Sequence, residues 1–481
     1  MKLKASYEQT LAQSYARRGG PWDLPSLATF FDRPIADAWS VRDGELSVDG
    51  STITAMARSL ATAMAARGVK KGDVIAWQMP NWHECILLFR ACWRLGAIAC
   101  PLHHRFGELE IQAALQKLEP ALTFSARGLP LEDLSDGIVI RTPAMSEMTD
   151  ASRSSPPADV KVEPSDIAVA LLTSGSTGDP KVVLHAHRSL AYKAATKPGI
   201  YGLGASDVVL VPGPISHING LVNAVLLPQA VGLKVVLMDR WDPEQAIALV
   251  EREGVSFLGG PSTFLTGMLE SPEYSRHRVR SLRLAGIGGS GMTEDQIASI
   301  AQALGCSVKR TYGSTEAPSI TTAYANDPAI KGWATDGRPA GEAEVRISDP
   351  ATGTEITNGD VGEIWARGPE LFVGYADQQQ TAEAIHEGWF RTGDLGSVDE
   401  GGWMTVRGRI KELIIRGGEN ISPTEVEGLL LAHPLVDGVV AVGYPDRVLG
   451  ERVAVAVVAQ RSFDLEACQD WFTRQGAAKY K

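Results

Sequence analysis

The run Leu171-Leu-Thr-Ser-Gly-Ser-Thr-Gly-Asp-Pro-Lys-Val-Val-Leu184 sets a polar, glycine-rich loop between two apolar flanks. Gly175 and Gly178 permit backbone conformations that a Cβ forbids. The hydroxyls of Thr173, Ser174, Ser176 and Thr177 can donate hydrogen bonds, Pro180 stiffens the exit, and Lys181 adds one cation. Such a loop can wrap phosphate oxygens with N–H groups, hydroxyls and a positive point charge. It is not an ordinary P-loop, whose glycines and lysine open a helix. Here Asp179-Pro180 separates Gly178 from Lys181, and Val182, Val183 and Leu184 are strand-forming residues. A ligand-free Ser/Gly loop is the reading that the loop taken alone leaves open.

Three segments follow in order: Tyr312-Gly-Ser-Thr-Glu316, Phe390-Arg-Thr-Gly-Asp394, and Gly408-Arg-Ile-Lys-Glu-Leu-Ile-Ile-Arg-Gly-Gly-Glu-Asn-Ile-Ser-Pro423. With the loop, they make the chain resemble the adenylate-forming superfamily: acyl-CoA synthetases, adenylation domains of peptide synthetases, and luciferases. The likeness reaches the N-terminal part less specifically, through Ala66-Arg-Gly-Val-Lys-Lys-Gly-Asp73 and Gly96-Ala-Ile-Ala-Cys-Pro-Leu102.

The resemblance implies a role for each matching residue. Glu316 would bind Mg²⁺ as a hard oxygen donor, and Thr315 would bond the α-phosphate of ATP. Tyr312 would offer its face to adenine, beside Gly313 and Ser314. Gly289 and Ser290, in the cluster Gly286-Ile-Gly-Gly-Ser-Gly291, would lie against the nucleotide. Asp394 would accept from both ribose hydroxyls, and Arg409 would reach ribose or phosphate as a fixed fork of donors. Read alone, Asp394 could equally be a turn residue after Gly393. His217, in Pro214-Ile-Ser-His-Ile-Asn-Gly220, would stand beside the reacting carboxylate; a satisfied core histidine is its rival. The acyl pocket would comprise His217, Asn219, Asn223, Gly260, Pro261, Gly286 and Gly288. Gly417 and Gly418 would flank a pantetheine tunnel, and Lys411 would be the hinge. His185 and His187 read as packing or surface residues.

The implied reaction uses ATP, Mg²⁺ and CoA. A carboxylate attacks the α-phosphate, giving acyl-adenylate and pyrophosphate, and a thiol then takes the acyl group. Two alternatives remain: an enzyme that loads a carrier protein or stops at the adenylate, and a non-catalytic adenylate binder. Lys181, Glu316, Asp394 and Arg409 argue against the second. The resemblance also implies a late catalytic lysine in a Gly-Lys context, beyond a Lys-Tyr-Lys-Pro-like segment. The sequence ends at Ala478-Lys-Tyr-Lys481. Lys479 and Lys481 read as that earlier segment, so the C-terminal domain reads as cut short.

The elements that must position these residues read as α/β. Ala55 to Arg67 suits an amphipathic helix ended by Gly68. Trp82, Cys85, Ile86, Phe89 and Trp93 recur at helical spacing, closed by Gly96. Apolar runs at 98–102, 168–172, 208–211, 234–237 and 257–260 suit buried strands of largely parallel sheets. Residues 151–164 suit a surface connection. From about Ile320 to Trp403, short β-like runs suggest a small barrel-like subdomain. After Arg409 a βαβ-like pattern begins. The expected organisation is a large N-terminal domain over residues 1–408 with stacked α/β sheets, a hinge at 409–411, and a small mobile α+β C-terminal domain over 412–481.

Composition adds bounds. The chain has 481 residues, 44% hydrophobic and 21% charged, enough for more than one domain. Its net charge of −11 and lack of a basic stripe argue against a nucleic-acid partner. Local basic groups must therefore draw the anionic substrates. Five cysteines without metal-ligand spacing suggest a reducing cytosol, with Cys85 and Cys92 in the core. The first residues lack a signal-peptide core, and no apolar run suits a membrane span. A cytoplasmic enzyme is expected, with a small carboxylic acid, ATP and CoA as partners.

Overall fold

The computed structural model describes residues 9–32, 39–150, 160–173, 180–288, 292–357, 359–416 and 419–475. Two large sheets carry the N-terminal part. The first has nine strands, with Val208–Val211, Lys234–Leu237, Phe257–Gly260, Leu284–Ile287 and Ser307–Tyr312 in parallel at its centre. The second has seven, with Val74–Gln78, Ile98–Leu102, Leu122–Ser125 and Ile138–Val139 in parallel. Each apolar run read as a buried strand forms one.

Parallel sheets need helices on their faces because crossovers return over them. His83–Leu95 is one such helix, with every residue but Arg94 buried. Phe89 meets Trp77 of the sheet edge-to-face at 4.8 Å. Gly96 ends the helix in the left-handed region, at φ 63°. The helix expected from Ala55 begins at Gly50, because the Asp49 carboxylate accepts the Thr52 N–H and caps it earlier. Of the cysteines, Cys85, Cys92, Cys100 and Cys306 are buried and all five are free thiols. No helix among the described residues is long and apolar enough to cross a membrane.

Strands Glu344–Ser348, Gly362–Arg367, Ile385–His386, Trp389–Val398 and Met404–Arg409 make an antiparallel five-stranded sheet in the region read as barrel-like. That region also supplies the two larger sheets. Thr321–Thr322 and Arg338–Pro339 extend the nine-stranded sheet, and Gly374–Tyr375 pairs with Lys181–Ala186 of the seven-stranded one. Edge strands offer unpaired backbone groups, so short returning segments complete them.

After the 3₁₀ turn Ile410–Glu412 comes a four-stranded sheet with helix Pro423–Leu431 against it. Its pairings are all antiparallel, which corrects the βαβ-like reading. Val436–Asp446 and Gly450–Ala459 form a hairpin, because the Asp446 carboxylate accepts the N–H groups of Val448 and Leu449 and closes a short turn. A turn that short leaves no room for a crossover helix.

Candidate active site

Strand Lys181–Ala186 follows Pro180 directly, so the lysine begins a strand and the P-loop reading is excluded. In the antiparallel register Thr173 faces Lys181 across the loop. Ser174, Gly175, Ser176, Thr177 and Gly178 lie outside the described residues, as do Gly289, Ser290, Gly417, Gly418, Lys479 and Lys481.

The strand ties the loop to the Tyr312–Glu316 turn at two points. The His185 imidazole, fully buried, bonds the Thr315 carbonyl through Nε2 at 2.7 Å. Tyr375 sits between Lys181 and Glu316: its hydroxyl donates to Glu316 Oε1 at 2.7 Å, and Lys181 Nζ lies 4.7 Å from its ring centroid. A cation over a tyrosine face is attracted by the ring quadrupole. Residues far apart in sequence thus bring the loop's cation and the proposed metal-binding carboxylate to one ring. Gly313 is needed where the turn folds on itself, since a Cβ there would lie 2.7 Å from the carbonyl oxygens of Ala317 and Pro318.

The turn's other side meets the Arg-Thr-Gly-Asp element. Tyr312 donates its hydroxyl to Asp394 Oδ2 at 2.7 Å, and Arg409 Nε lies 2.9 Å from Asp394 Oδ1. The register places Asp394 opposite Arg409 in adjacent strands. Burial raises the Asp394 carboxyl above its ordinary value, with Tyr312 and Arg409 pulling against that shift. Asp394 is buried and Arg409 exposed, so the guanidinium opens toward solvent while its partner is fixed.

A cavity of about 420 Å³ opens at the C-terminal ends of the parallel strands, the usual place for ligands in such sheets. It brings together His217, Asn219, Asn223, Gly260, Pro261, Gly286 and Gly288 from the expected acyl pocket and Gly313, Ser314 and Thr315 from the expected nucleotide site. His217 stands exposed at the rim, its ring 5.1 Å from His103, which stacks on His104 at 4.7 Å. Desolvation lowers all three imidazoles, His103 to about 4. The expected hinge, Lys411, is exposed in the turn that follows Arg409.

Sequence reasoning missed the lining groups Lys193, Lys197 and Tyr201, and the His103–His104 pair beside His217. Lysines four apart on helix His187–Tyr201 ordinarily mark a solvated face, yet both are buried. His185 and His187 are buried too, which removes the surface reading of both.

Their burial has a consequence for pH. It pushes His185 down to about 4 and His187 to about 3, from an ordinary 6.5. The unfolded chain therefore binds more protons below 6.5, and the stability carried by the neutral rings is lost as pH falls toward 4 and 3. Each group is expected to cost about 2 kcal/mol at pH 5 relative to pH 7. Denaturant titrations at the two pH values check this, and equal midpoints would refute it.

A further cluster, Asp43, His83 and Glu84, has metal-ligand chemistry. Arg141 already supplies its cation, at 2.6 Å from Asp43 and 3.0 Å from Glu84, with its guanidinium 3.9 Å from the Trp82 ring centroid.

For Mg²⁺, Glu316 has the right donor type: its carboxylate uses Oε1 for Tyr375, and Oε2 has no hydrogen-bond partner among the described residues.

Known proteins are similar to this chain in sequence and in fold. The family described as AMP-binding enzyme matches residues 35–376. The medium-chain fatty-acid–CoA ligase of Escherichia coli (strain K12) is 31% identical over 510 residues, covering 100% of this chain and 90% of the relative. The feruloyl-CoA synthase of an Amycolatopsis species is 31% identical, over 88% of this chain and 85% of the relative. ATP-bound MatB from Rhodopseudomonas palustris superposes with a TM-score of 0.86 at 26% identity, over 94% of this chain and 93% of MatB.

Proposed function

The chain belongs to the AMP-binding enzyme family, and we propose that it joins a carboxylic acid to CoA in two half-reactions. In the first, a carboxylate oxygen attacks the α-phosphorus of ATP, the bond to the β-phosphate bridging oxygen breaks, and pyrophosphate leaves. In the second, the CoA sulfur attacks the acyl carbon, AMP leaves, and the thiol proton passes to solvent. The observation that carries this reading is one cavity lined by both His217, Asn219 and Gly288 and the turn Gly313–Thr315. Acid and α-phosphate can meet only where their sites adjoin.

The chain's own residues then have distinct tasks. Lys181 balances phosphate charge beside Tyr375. Asp394, positioned by Tyr312 and Arg409, accepts the ribose hydroxyls. Thr315, held through its carbonyl by His185, presents its hydroxyl to the α-phosphate. Glu316 would hold Mg²⁺, which when bound neutralises phosphate charge. His217, whose imidazole desolvation keeps from protonating, orients the carboxylate from the rim. The boundary at 409–411 separates the N-terminal part from a C-terminal domain that turns between the half-reactions.

The test is pyrophosphate release from ATP across a panel of acids, followed by thioester formation with CoA as sole acceptor. The expected result is acid-dependent release, then acyl-CoA and AMP in equal amounts. Release without thioester would move the reading to a carrier protein or a free adenylate. No release with any acid would refute catalysis.

A further inference from the structure

Lys197 is a buried lysine without a counter-ion of its own among the described residues. Its residue is 7% exposed, and its Nζ donates to Asn223 Oδ1 at 2.6 Å. It faces the rings of Tyr201 and Phe257, at 5.5 and 5.6 Å from their centroids. The nearby carboxylate, Glu370, is held by Lys193 at 2.9 Å, and both of those residues are buried. Two lysines thus share one acid, and Lys193 takes it. Burying a cation against a neutral amide and two rings is costly unless another group completes its shell.

The cavity places that missing group. Lys193, Lys197 and Tyr201 line it from one helix, with Asn223 and Phe257 beside them. Asn223 lies in the π-helical turn Val222–Leu226, a distortion that often marks functional positions. Its amide nitrogen donates to Asn219 Oδ1 at 2.9 Å, so its oxygen is turned to the lysine. A Cβ at Gly259 would lie 2.9 Å from Asn223 Nδ2, and one at Gly286 would lie 3.7 Å from Phe257 and 3.9 Å from Tyr201. The strand glycines therefore lie against Asn223, Phe257 and Tyr201, the groups around the lysine, whereas Gly288 adjoins the Thr311 carbonyl on the side of the Gly313–Thr315 turn. The cavity lining thus holds both the Gly313–Thr315 turn and the Lys197 cluster.

We infer that Lys197 recognises the non-reacting end of the acid, and that the substrate carries a second hydrogen-bond-accepting oxygen there, as a carboxylate or a hydroxyl. This rests on the ligase reading and names its substrate class. A plain hydrocarbon tail would leave the ammonium facing CH₂ groups. A distal oxygen replaces the water it lost and adds a charge-assisted bond. Burial, and then the charge of Lys193, push Lys197 down to about 7, so an arriving carboxylate would draw a proton onto it. The groups whose charges act on it are Lys193 and Glu370.

The experiment compares matched straight-chain and para-substituted aromatic acids, each as plain monoacid, hydroxy acid and diacid, by pyrophosphate release. In the parent, the best oxygen-bearing acid is expected to exceed its plain counterpart about tenfold in kcat/KM, the size of one charged hydrogen bond. Lys197→Met, similar in length but apolar, should bring that ratio near one, mainly through KM. Lys197→Gln carries the same comparison if the Met variant does not fold. The diacid and hydroxy arms tell a charged from a neutral distal group. A parent ratio at or below one, or a ratio unchanged in the variant, overturns the inference and leaves the ligase reading standing. Absence of release from every acid removes the ligase reading and this inference with it.

Discussion

Glu316→Gln is expected to lower kcat/KM for ATP in pyrophosphate release by about 100-fold, the size of losing a ligand that stabilises transferring phosphate charge. The substitution isolates the metal role. The Gln amide oxygen can still accept the Tyr375 hydroxyl, now bonded to Glu316 Oε1 at 2.7 Å. The Glu316 backbone carbonyl, which accepts the Phe372 N–H at 2.7 Å, is untouched. What disappears is the charge and with it the hard donor that Mg²⁺ prefers. The Mg²⁺ titration should shift to higher concentration, and excess Mg²⁺ should restore part of the rate. A titration that overlays the parent would place the metal elsewhere.

The second large effect is a separation of the half-reactions by Lys411→Pro. Lys411 lies one residue after Ile410 in a turn closed by the Leu413 N–H to the Ile410 carbonyl at 3.4 Å. Proline suits that turn position, so the observed arrangement should survive. Its φ, however, is then locked. Arg409 on one side is paired with Asp394, and strand Ile414–Arg416 on the other already belongs to the C-terminal sheet. Ser422, which precedes helix Pro423–Leu431, donates its Oγ to the Arg407 carbonyl at 2.6 Å, so that helix's start also contacts the strand before the turn. Rotation about this segment must break that contact. One half-reaction should persist within a few-fold while the other falls by about 100-fold or more, as lost positioning can cost. Pyrophosphate release and thioester formation from supplied adenylate, measured separately, decide it. Equal loss of both would argue for misfolding or a different pivot.

Much of the site was legible because its information is local. Pro180 and the β-branched residues after Lys181 announce a strand wherever the rest of the chain goes. The Tyr312–Glu316 and Phe390–Asp394 segments carry their donors and acceptors at fixed short spacing. Gly96 ends its helix because only a short-range backbone conformation is involved. The buried strands were visible as apolar runs, since a parallel strand covered on both faces has no polar alternation.

What remained hidden depends on partners distant in sequence. Tyr375 joins Lys181 to Glu316 only because a two-residue strand returns to the edge of the seven-stranded sheet. His185 is a clamp on Thr315 only because the strand and the turn pack together. The antiparallel C-terminal sheet follows from pairing that its local pattern leaves open. Lys193 and Lys197 show the limit most clearly. Lysines four apart on a helix ordinarily mark a solvated face. Their burial is tolerable only because Glu370 and Asn223, from other parts of the chain, meet them there. The sequence by itself determined which groups carry the donors and charge that phosphate binding needs and where the apolar strands and helices lie, because those properties are set by short-range sterics and residue type. The tertiary structure alone decided which charges are desolvated and what they face, because the cost of burying a charge depends on every neighbour in space.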